Sequence, residues 1–322
     1  MLSKLHRAVI ASIVVGLRCM SISPVWSQDL ICGELKVSGR SGQALAFQPK
    51  MMPNATEVPA GQLPAQASLA YVGNNLAAKR HFCGAVFLSS RRLLTAAHCL
   101  GWVDGAKRAI IQKPDELRVV ISRNRKLDAT GQSDVDYREL RVTGFECHRG
   151  WKGQGDGSYT SGPHDIAIVQ IEDGAPSWAW SRGGNRPIVA LPADAKEELL
   201  RMPIGSELIA TGWGGTSDGA APRVSLQMAT MIRQDRNTCD GTFDAICLRQ
   251  KTSDSAICGN DSGGFAGQVE GDIMALAGIV GGGPRACGAD GQSDYYTRVS
   301  SHADWIRSIV GPANFDVWKT LP

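Results

Sequence analysis

The chain has no apolar run long enough to cross a bilayer, almost no excess charge and no internal repeat. A bilayer-spanning helix needs roughly 20 apolar residues, and neither the apolar N-terminal run 8–17 nor any later segment reaches that length. Lysine and arginine outnumber aspartate and glutamate by only 34 to 31, so the overall charge does not favour nucleic acid. Without repeats, a structural wall or matrix protein also lacks support. We predict no stable membrane insertion and no nucleic-acid partner.

Cysteine, by contrast, is plentiful, with nine residues in the chain. No two cysteines have C-x-x-C spacing, so we predict no metal site from them. Basic residues precede the apolar run and small residues follow it, which is typical of a secretory signal, here predicted at 1–27. We therefore expect export to a secreted or periplasmic location, where disulfides form. Removal of Cys19 with the signal would leave eight cysteines to pair.

Short alternating or apolar runs follow Pro64, separated by glycine, asparagine, aspartate and serine. Such runs predict an all-β protein, either a sandwich or a barrel. The predicted strands are 65–72, 83–88, 117–121, 139–142, 166–171, 207–210, 274–280 and 295–299. Residues 302–310 have helical spacing and are followed by Gly311-Pro312, which predicts a C-terminal helix ending there.

Three short motifs contain the residue types of a nucleophilic hydrolase. His98 lies in Thr-Ala-Ala-His-Cys, Asp165 in His-Asp-Ile-Ala, and Ser262 in Gly-Asn-Asp-Ser-Gly-Gly. A serine hydroxyl is a poor nucleophile at neutral pH and needs a base, which a third group must orient. The order His, Asp, Ser is the chymotrypsin type, whereas α/β-hydrolases run Ser, Asp or Glu, His and use G-x-S-x-G.

On these motifs the chain resembles the trypsin-like, or chymotrypsin-fold, serine proteases between Pro64 and Ile309. Further matching segments are Phe82-Cys83-Gly84, Ala210-Thr211-Gly212-Trp213-Gly214, Tyr296-Thr297-Arg298-Val299 and Trp305-Ile306. The resemblance implies two six-stranded antiparallel β-barrels with the active site between them, and a C-terminal helix. It implies an exported serine endopeptidase that needs no cofactor and no metal. Polypeptides are the implied substrates, and an activating protease and a protein inhibitor are further candidate partners.

The resemblance also divides the chain and indicates an activation step. It implies a propeptide or N-terminal arm at 28–51, a protease domain at 52–311 and a C-terminal tail at 312–322. Family zymogens are cut to give a new ammonium group that pairs with the aspartate before the nucleophile, here Asp261. Counting back from Pro64 gives 51–57 as the equivalent stretch, with Lys50 as a candidate cut. No Ile-Val start marks the cleavage position, which stays open.

The roles of the site residues follow from the same resemblance. Ser262 would be the nucleophile, His98 the general base and then acid, and Asp165 the acceptor of the other imidazole N–H. The backbone N–H groups of Asn260 and Ser262 would form the oxyanion hole. The family usually has glycine at position 260; asparagine tolerates positive φ, so either the hole forms at some strain or the peptide flips and spoils it.

A rival prediction is a catalytically impaired homologue that acts as a binding protein. The complete set of His98, Asp165 and Ser262 favours the enzyme. Two departures favour the rival: Asn260, and Gly281-Gly282-Gly283 where the family usually has Ser-Trp-Gly. The glycine strand predicts weaker substrate binding, because it lacks an apolar wall and is more flexible.

The resemblance implies a specificity pocket formed by Ala256, Ile257, Gly283 and Asp294. Trypsins place an aspartate where this chain has Ala256. Asp294 either enters the pocket from the opposite wall or is a solvated turn residue. We predict cleavage after small to medium apolar residues, with secondary acceptance of Lys or Arg.

The resemblance further implies three disulfides, and cysteine parity suggests a fourth. The implied pairs are Cys83–Cys99, Cys239–Cys247 and Cys258–Cys287. If Cys19 leaves with the signal, Cys32 and Cys147 remain and are predicted to pair.

Overall fold

The computed structural model describes residues 30–37, 55–74, 76–127, 136–153, 162–215, 222–239, 245–251, 258–283 and 293–321. Within them the strands are β1 (Leu30–Cys32), β2 (Leu35–Val37), β3 (Thr56–Glu57), β4 (Gln66–Tyr71), β5 (His81–Ser89), β6 (Arg92–Thr95), β7 (Gly101–Val103), β8 (Ala109–Ile111), β9 (Leu117–Ile121), β10 (Arg138–Cys147), β11 (Ala167–Ile171), β12 (Val189–Ala190), β13 (Glu207–Gly212), β14 (Gln227–Gln234), β15 (Ala245–Gln250), β16 (Phe265–Glu270), β17 (Ile273–Gly282) and β18 (Asp294–Arg298). The α-helices are α1 (Ala77–Arg80), α2 (Ala195–Arg201), α3 (Ala303–Val310) and α4 (Ala313–Lys319).

The first barrel is closed and has the strand order β10-β11-β6-β5-β4-β9. Its strands pair antiparallel, and their apolar side chains, such as Leu69, Leu94 and Val119, are fully buried inside. Closure leaves no unpaired strand edge on the barrel. It also brings the end of β6 beside the start of β11, with Thr95 opposite Ala167. This pairing determines where His98 and Asp165 lie.

The second barrel is a ring of β13, β14, β15, β18, β17 and β16, closed by pairing between β17 and β18. The short strand β12 adds to β17 in parallel, and β3 adds to β14 antiparallel. The predicted architecture of two six-stranded antiparallel barrels is therefore confirmed. Several strands were not predicted, among them β14 and β16.

The C-terminal segment contains two helices where one helix and a tail were predicted. Helix α3 ends at Val310, and the next residue, Gly311, has φ 83°. Helix α4 then buries Phe315 and Trp318. The side-chain amide of Asn314 donates to carbonyl oxygens of both β5 and β12, at 3.0 Å each. The last residues thus help to hold the two barrels together. None of the helices in the described ranges has the length and apolarity that a bilayer crossing requires.

The hairpin β1–β2 is attached to the first barrel by a disulfide between Cys32 and Cys147, 115 residues apart in the chain. The backbone N–H of Glu34 also donates to the carbonyl of Trp151 at 2.7 Å. The structure further contains the predicted disulfides Cys83–Cys99 and Cys239–Cys247. Cys287 lies outside the described residues, so its pairing with Cys258 stays a prediction. The signal segment 1–27 and Lys50 also lie outside them.

Candidate active site

His98 and Asp165 are brought together by the pairing of β6 with β11. His98 lies in the 3₁₀ turn after β6, and Asp165 lies just before β11. The ring Nδ1 of His98 donates to Asp165 Oδ2 at 2.7 Å, and the backbone N–H of His98 donates to Oδ1 at 2.8 Å. Asp165 is fully buried, whereas the His98 side chain is 16% exposed. Because a neutral imidazole has one N–H, Nε2 of His98 carries the lone pair.

The backbone around Asp165 is held by two further hydrogen bonds. Thr297 in β18 donates its hydroxyl to the carbonyl of Asp165 at 2.9 Å. The N–H of Ile166 donates to the carbonyl of His164 at 2.7 Å. Thr297 belongs to a motif that carried the family resemblance, but sequence reasoning gave it no role. Its contact joins the second barrel to the aspartate of the first.

Strand β5 connects Ser262 to the loop that contains His98. Its carbonyl accepts a hydrogen bond from the N–H of Gly84 at 2.7 Å. The neighbouring residue Cys83 forms the disulfide with Cys99, directly after His98. The hydrogen bonds of the described residues include none from Ser262 Oγ to His98. In ligand-free enzymes, catalytic hydrogen bonds are often long and tighten only with substrate bound.

Glycine is required next to Ser262 by close packing of the two barrels. A Cβ at Gly263 would overlap the carbonyl oxygen of Gly84 and the hydroxyl of Thr95. A Cβ at Gly264 would overlap the carbonyl oxygen of Thr211. The Asp-Ser-Gly-Gly sequence is therefore a packing requirement as well as a chemical motif.

Asn260 has φ 71°, in the left-handed region, as the sequence-based argument anticipated for the strained alternative. His81 Nε2 lies 2.9 Å from the carbonyl oxygen of Asn260, and His81 Nδ1 lies 2.7 Å from Ser68 Oγ. A carbonyl only accepts, so Nε2 donates to it and Nδ1 accepts from the Ser68 hydroxyl. Burial lowers the pKa of His81 to about 4, so this ring is neutral near pH 7.

The backbone N–H groups around Ser262 fall into two pairs, one with backbone acceptors and one without. The N–H of Asp261 donates to the carbonyl of Cys258 at 3.1 Å, and that of Gly263 to Val280 at 2.8 Å. Within the part of the chain that the structure describes, no backbone acceptor faces the N–H groups of Asn260 and Ser262. These are the two groups from which the oxyanion hole was predicted.

Asp261 is completely buried and bound by backbone groups. Its Oδ1 accepts from Gly214 N–H at 2.7 Å, and its Oδ2 from Cys258 N–H at 2.8 Å. A Cβ at Gly212 would overlap the carboxylate, so glycine is needed there. Burial raises the pKa of Asp261 to about 7, although both N–H bonds and the charge of Arg223 act in the opposite direction. The ion pairs of the described residues include none that neutralises this carboxylate.

Asp294 is a buried residue of β18, only 6% exposed. The alternative of a solvated turn residue is therefore wrong. A Cβ at Gly283 would overlap one carboxylate oxygen of Asp294, so the carboxyl group lies against the backbone of Gly283. Ala256 and Ile257, the other predicted pocket residues, lie outside the described residues.

Comparison with known proteins gives consistent matches over most of the chain. The family model described as Trypsin matches residues 53–306. Trypsin-1 of Astacus astacus is 27% identical over 265 residues, covering 79% of this chain and 97% of the relative. Human transmembrane protease serine 11B is also 27% identical, over 78% of this chain, but the match spans only 53% of that longer protein. The mouse brain serine protease neuropsin, at 21% identity, shares the fold with a TM-score of 0.59 over 79% of this chain and 98% of its own.

Proposed function

The chain belongs to the trypsin family of serine endopeptidases, and from that premise we propose that Ser262, His98 and Asp165 form a working catalytic triad. The observation that carries this proposal is the pair of hydrogen bonds from His98 to the fully buried carboxylate of Asp165. They fix the ring with Nε2 as the base. The match to human transmembrane protease serine 11B covers about half of that protein, so the proposal concerns the protease unit alone.

The reaction follows from these positions. Ser262 Oγ attacks a peptide carbonyl while His98 Nε2 accepts its proton, and Asp165 stabilises the resulting imidazolium. The negative charge on the tetrahedral intermediate is bound by the N–H groups of Asn260 and Ser262. His98 then protonates the leaving amine, and the C–N bond breaks to leave an acyl-enzyme. Water, deprotonated by His98, hydrolyses the ester and restores the Ser262 hydroxyl.

The positive φ of Asn260 supports an oxyanion hole formed at some strain over a flipped peptide. The contact from His81 to the Asn260 carbonyl gives the strained residue a fixed partner. A catalytically impaired binding protein remains the rival, because Gly281-Gly282-Gly283 removes an apolar wall of the substrate cleft. We favour the enzyme, since the departures affect binding of the substrate backbone more than the acid–base machinery.

Activation would use Asp261. Glu57 pairs with Gln227, and Gln227 pairs with Gly212, whose backbone contacts the Asp261 carboxylate. Glu57 therefore lies two strand spacings from Gly212, which is roughly 10 Å. Three or four extended residues before Glu57 span about the same distance. A chain start created within 51–54 could therefore reach Asp261. Its ammonium group would neutralise the buried carboxylate and keep it ionised.

Asp294 supports a mixed specificity. Its buried carboxyl group lies against Gly283, another predicted pocket residue, and Ala256 stands where trypsins have an aspartate. We propose cleavage after small to medium apolar residues with secondary acceptance of Lys or Arg. Export is supported by the three disulfides in the described residues, because such bonds persist in oxidising compartments.

Hydrolysis of an unfolded protein such as reduced casein tests the proposal. The processed protein should release peptides, and the Ser262→Ala protein, processed in the same way, should not. Equal peptide release by both proteins, or none by the processed parent, would support the impaired homologue instead.

A further inference from the structure

Three histidines that take no part in the proposed reaction meet on one side of the catalytic aspartate. His148 follows β10, His164 precedes Asp165, and His302 precedes α3. One nitrogen from each lies within 4.8 Å of the others. His164 Nδ1 and His302 Nε2 are 3.2 Å apart, and the rings of His148 and His164 stack with centroids 4.5 Å apart. Histidines gathered from such distant parts of a chain need a physical explanation.

The separation of His164 Nδ1 and His302 Nε2 is close to that of two ligands on one metal ion. Imidazole nitrogens bind zinc at about 2.0–2.1 Å in tetrahedral geometry, which puts two ligand nitrogens roughly 3.3 Å apart. The observed distance is 3.2 Å. One nitrogen of His148 lies within 4.8 Å of these two atoms, and a rotation of this partly buried ring would be needed to bring it to ligand distance.

Neighbouring groups orient these rings for metal binding. His302 is 5% exposed, and its Nδ1 donates to the carbonyl of Arg298 at 2.8 Å, so its Nε2 accepts the 3.2 Å hydrogen bond from His164 Nδ1. A metal bound by both rings would replace this hydrogen bond and the proton in it. His164 is exposed, so an ion can enter from solvent. His148 Nδ1 accepts from Gly150 N–H at 3.2 Å. A neutral ring has one lone pair, so metal binding by His148 gives up only this long hydrogen bond.

Charged residues of both signs flank His148 in the chain. Arg149 acts on His148 electrostatically and opposes a cation. Glu146 accepts from the indole N–H of Trp305 at 3.4 Å, and that indole packs edge-on against His148.

We propose that His148, His164 and His302 form a site for a divalent transition metal, with zinc as the ion that fits the ligand set, and that the bound ion inhibits the peptidase. Three imidazoles suit zinc, copper and nickel and do not suit calcium or magnesium. A water molecule would complete a tetrahedral zinc site. The site is separate from the triad and is not needed for its chemistry.

The inhibition follows from the position of His164 next to Asp165, and this part rests on the proposed function. His164 has φ 62°, a conformation that histidine adopts more readily than most residues. One edge of its ring lies against the backbone of Gly150, where a Cβ would be 2.6 Å from His164 Cδ2. A metal that pulls the ring moves the residue joined to Asp165, and small displacements of catalytic groups cost large factors in rate.

Binding is tested on the full Ser262→Ala chain, so that the result does not depend on catalysis. We expect one zinc per chain by competition with a chromogenic chelator, a rise in melting temperature, and a tetrahedral visible spectrum with cobalt(II). His148→Ala should weaken zinc binding at least tenfold. His302→Gln should do the same and serves as a second variant, while Arg149→Gln, the matched control, should bind zinc as tightly as the parent or more tightly. Unchanged zinc affinity in folded His148→Ala, or no binding by the parent, would overturn the site.

Inhibition is tested separately on the active protein. Zinc should lower kcat in the parent and in Arg149→Gln but leave His148→Ala at least tenfold less sensitive. Equal sensitivity of the parent and His148→Ala would show that zinc acts elsewhere, for example at His98, and would overturn the inhibitory role. If the parent lacks peptidase activity altogether, the proposed function fails, and the binding test on Ser262→Ala still decides the metal site.

Discussion

His81 donates a hydrogen bond of 2.9 Å to the carbonyl oxygen of Asn260, although the two residues are 179 positions apart. The donor lies in the first barrel and the acceptor in the loop of the second barrel that contains Ser262. Ser68 holds the other ring nitrogen at 2.7 Å and so fixes the tautomer. We interpret His81 as a positioning residue that keeps Asn260 in its left-handed conformation.

Replacing His81 tests this interpretation. His81→Phe keeps an aromatic ring but removes the donor, so we expect kcat to fall by about tenfold or more, within the range for losing an oxyanion donor, with little change in KM. Ser68→Ala removes a contact one step further away and should have a smaller effect. An unchanged kcat in folded His81→Phe would contradict the role.

Asn260 itself gives the second prediction. A non-glycine residue in the left-handed region is disfavoured by about 1–2 kcal/mol, so Asn260→Gly should leave kcat unchanged or raise it. Asn260→Ala should be slower than Asn260→Gly, because alanine has the Cβ without the tolerance of asparagine. A large loss of kcat in Asn260→Gly would show that the amide side chain has its own function.

Asp261 should make the uncleaved chain less stable as the pH rises. Its folded pKa, about 7, lies above the ordinary value of 3.8 for an aspartate, so the folded state holds a proton that the unfolded state has lost between these pH values. The free energy of unfolding therefore falls across this range. Buried histidines such as His81 have lowered pKa values and act in the opposite direction. The difference in the free energy of unfolding between Ser262→Ala and Ser262→Ala/Asp261→Asn isolates the contribution of Asp261.

In that comparison, the Asp261→Asn protein should gain stability relative to its parent between pH 4 and 7. Denaturant unfolding at several pH values measures the difference. A stability difference that does not vary with pH would contradict the buried, proton-binding carboxyl group.

The Cys32–Cys147 disulfide should keep the N-terminal arm attached after activation. Cleavage near Lys50 separates the β1–β2 hairpin from the protease domain in sequence, but the disulfide joins Cys32 to β10. Non-reducing electrophoresis of the cleaved protein should show one species, and reduction should release the arm. Cys32→Ser should release it without reduction. In the chain-entropy model this disulfide stabilises by about 5 kcal/mol, so Cys32→Ser should also unfold at lower denaturant concentration.

Local sequence was enough to predict most of the fold and the family of the chain. His98, Asp165 and Ser262 each lie in a short motif, and the order of the motifs identifies the family. Helix α4 was missed because its apolar residues Phe315 and Trp318 occupy a short segment directly after Gly311-Pro312, which predicts a helix end. Their three-residue spacing was the available signal.

Contacts between residues that are far apart in the chain could not be predicted from the sequence. Ser68 and His81 are ordinary strand residues in sequence, and only barrel closure brings them to the oxyanion loop. The three histidines at 148, 164 and 302 have no common motif, because separate elements supply them. The burial of Asp294 likewise depends on the pairing of β18 with β15 and β17, which the sequence alone did not define.

Reaction with a fluorophosphonate probe tests the triad most directly. The processed protein is incubated with the probe, digested and analysed by mass spectrometry, beside Ser262→Ala and His98→Ala. The account predicts one labelled serine, Ser262, and no labelling in either variant, because the hydroxyl reacts only when His98 and Asp165 activate it. Labelling at another serine, or none in the processed parent, would contradict it.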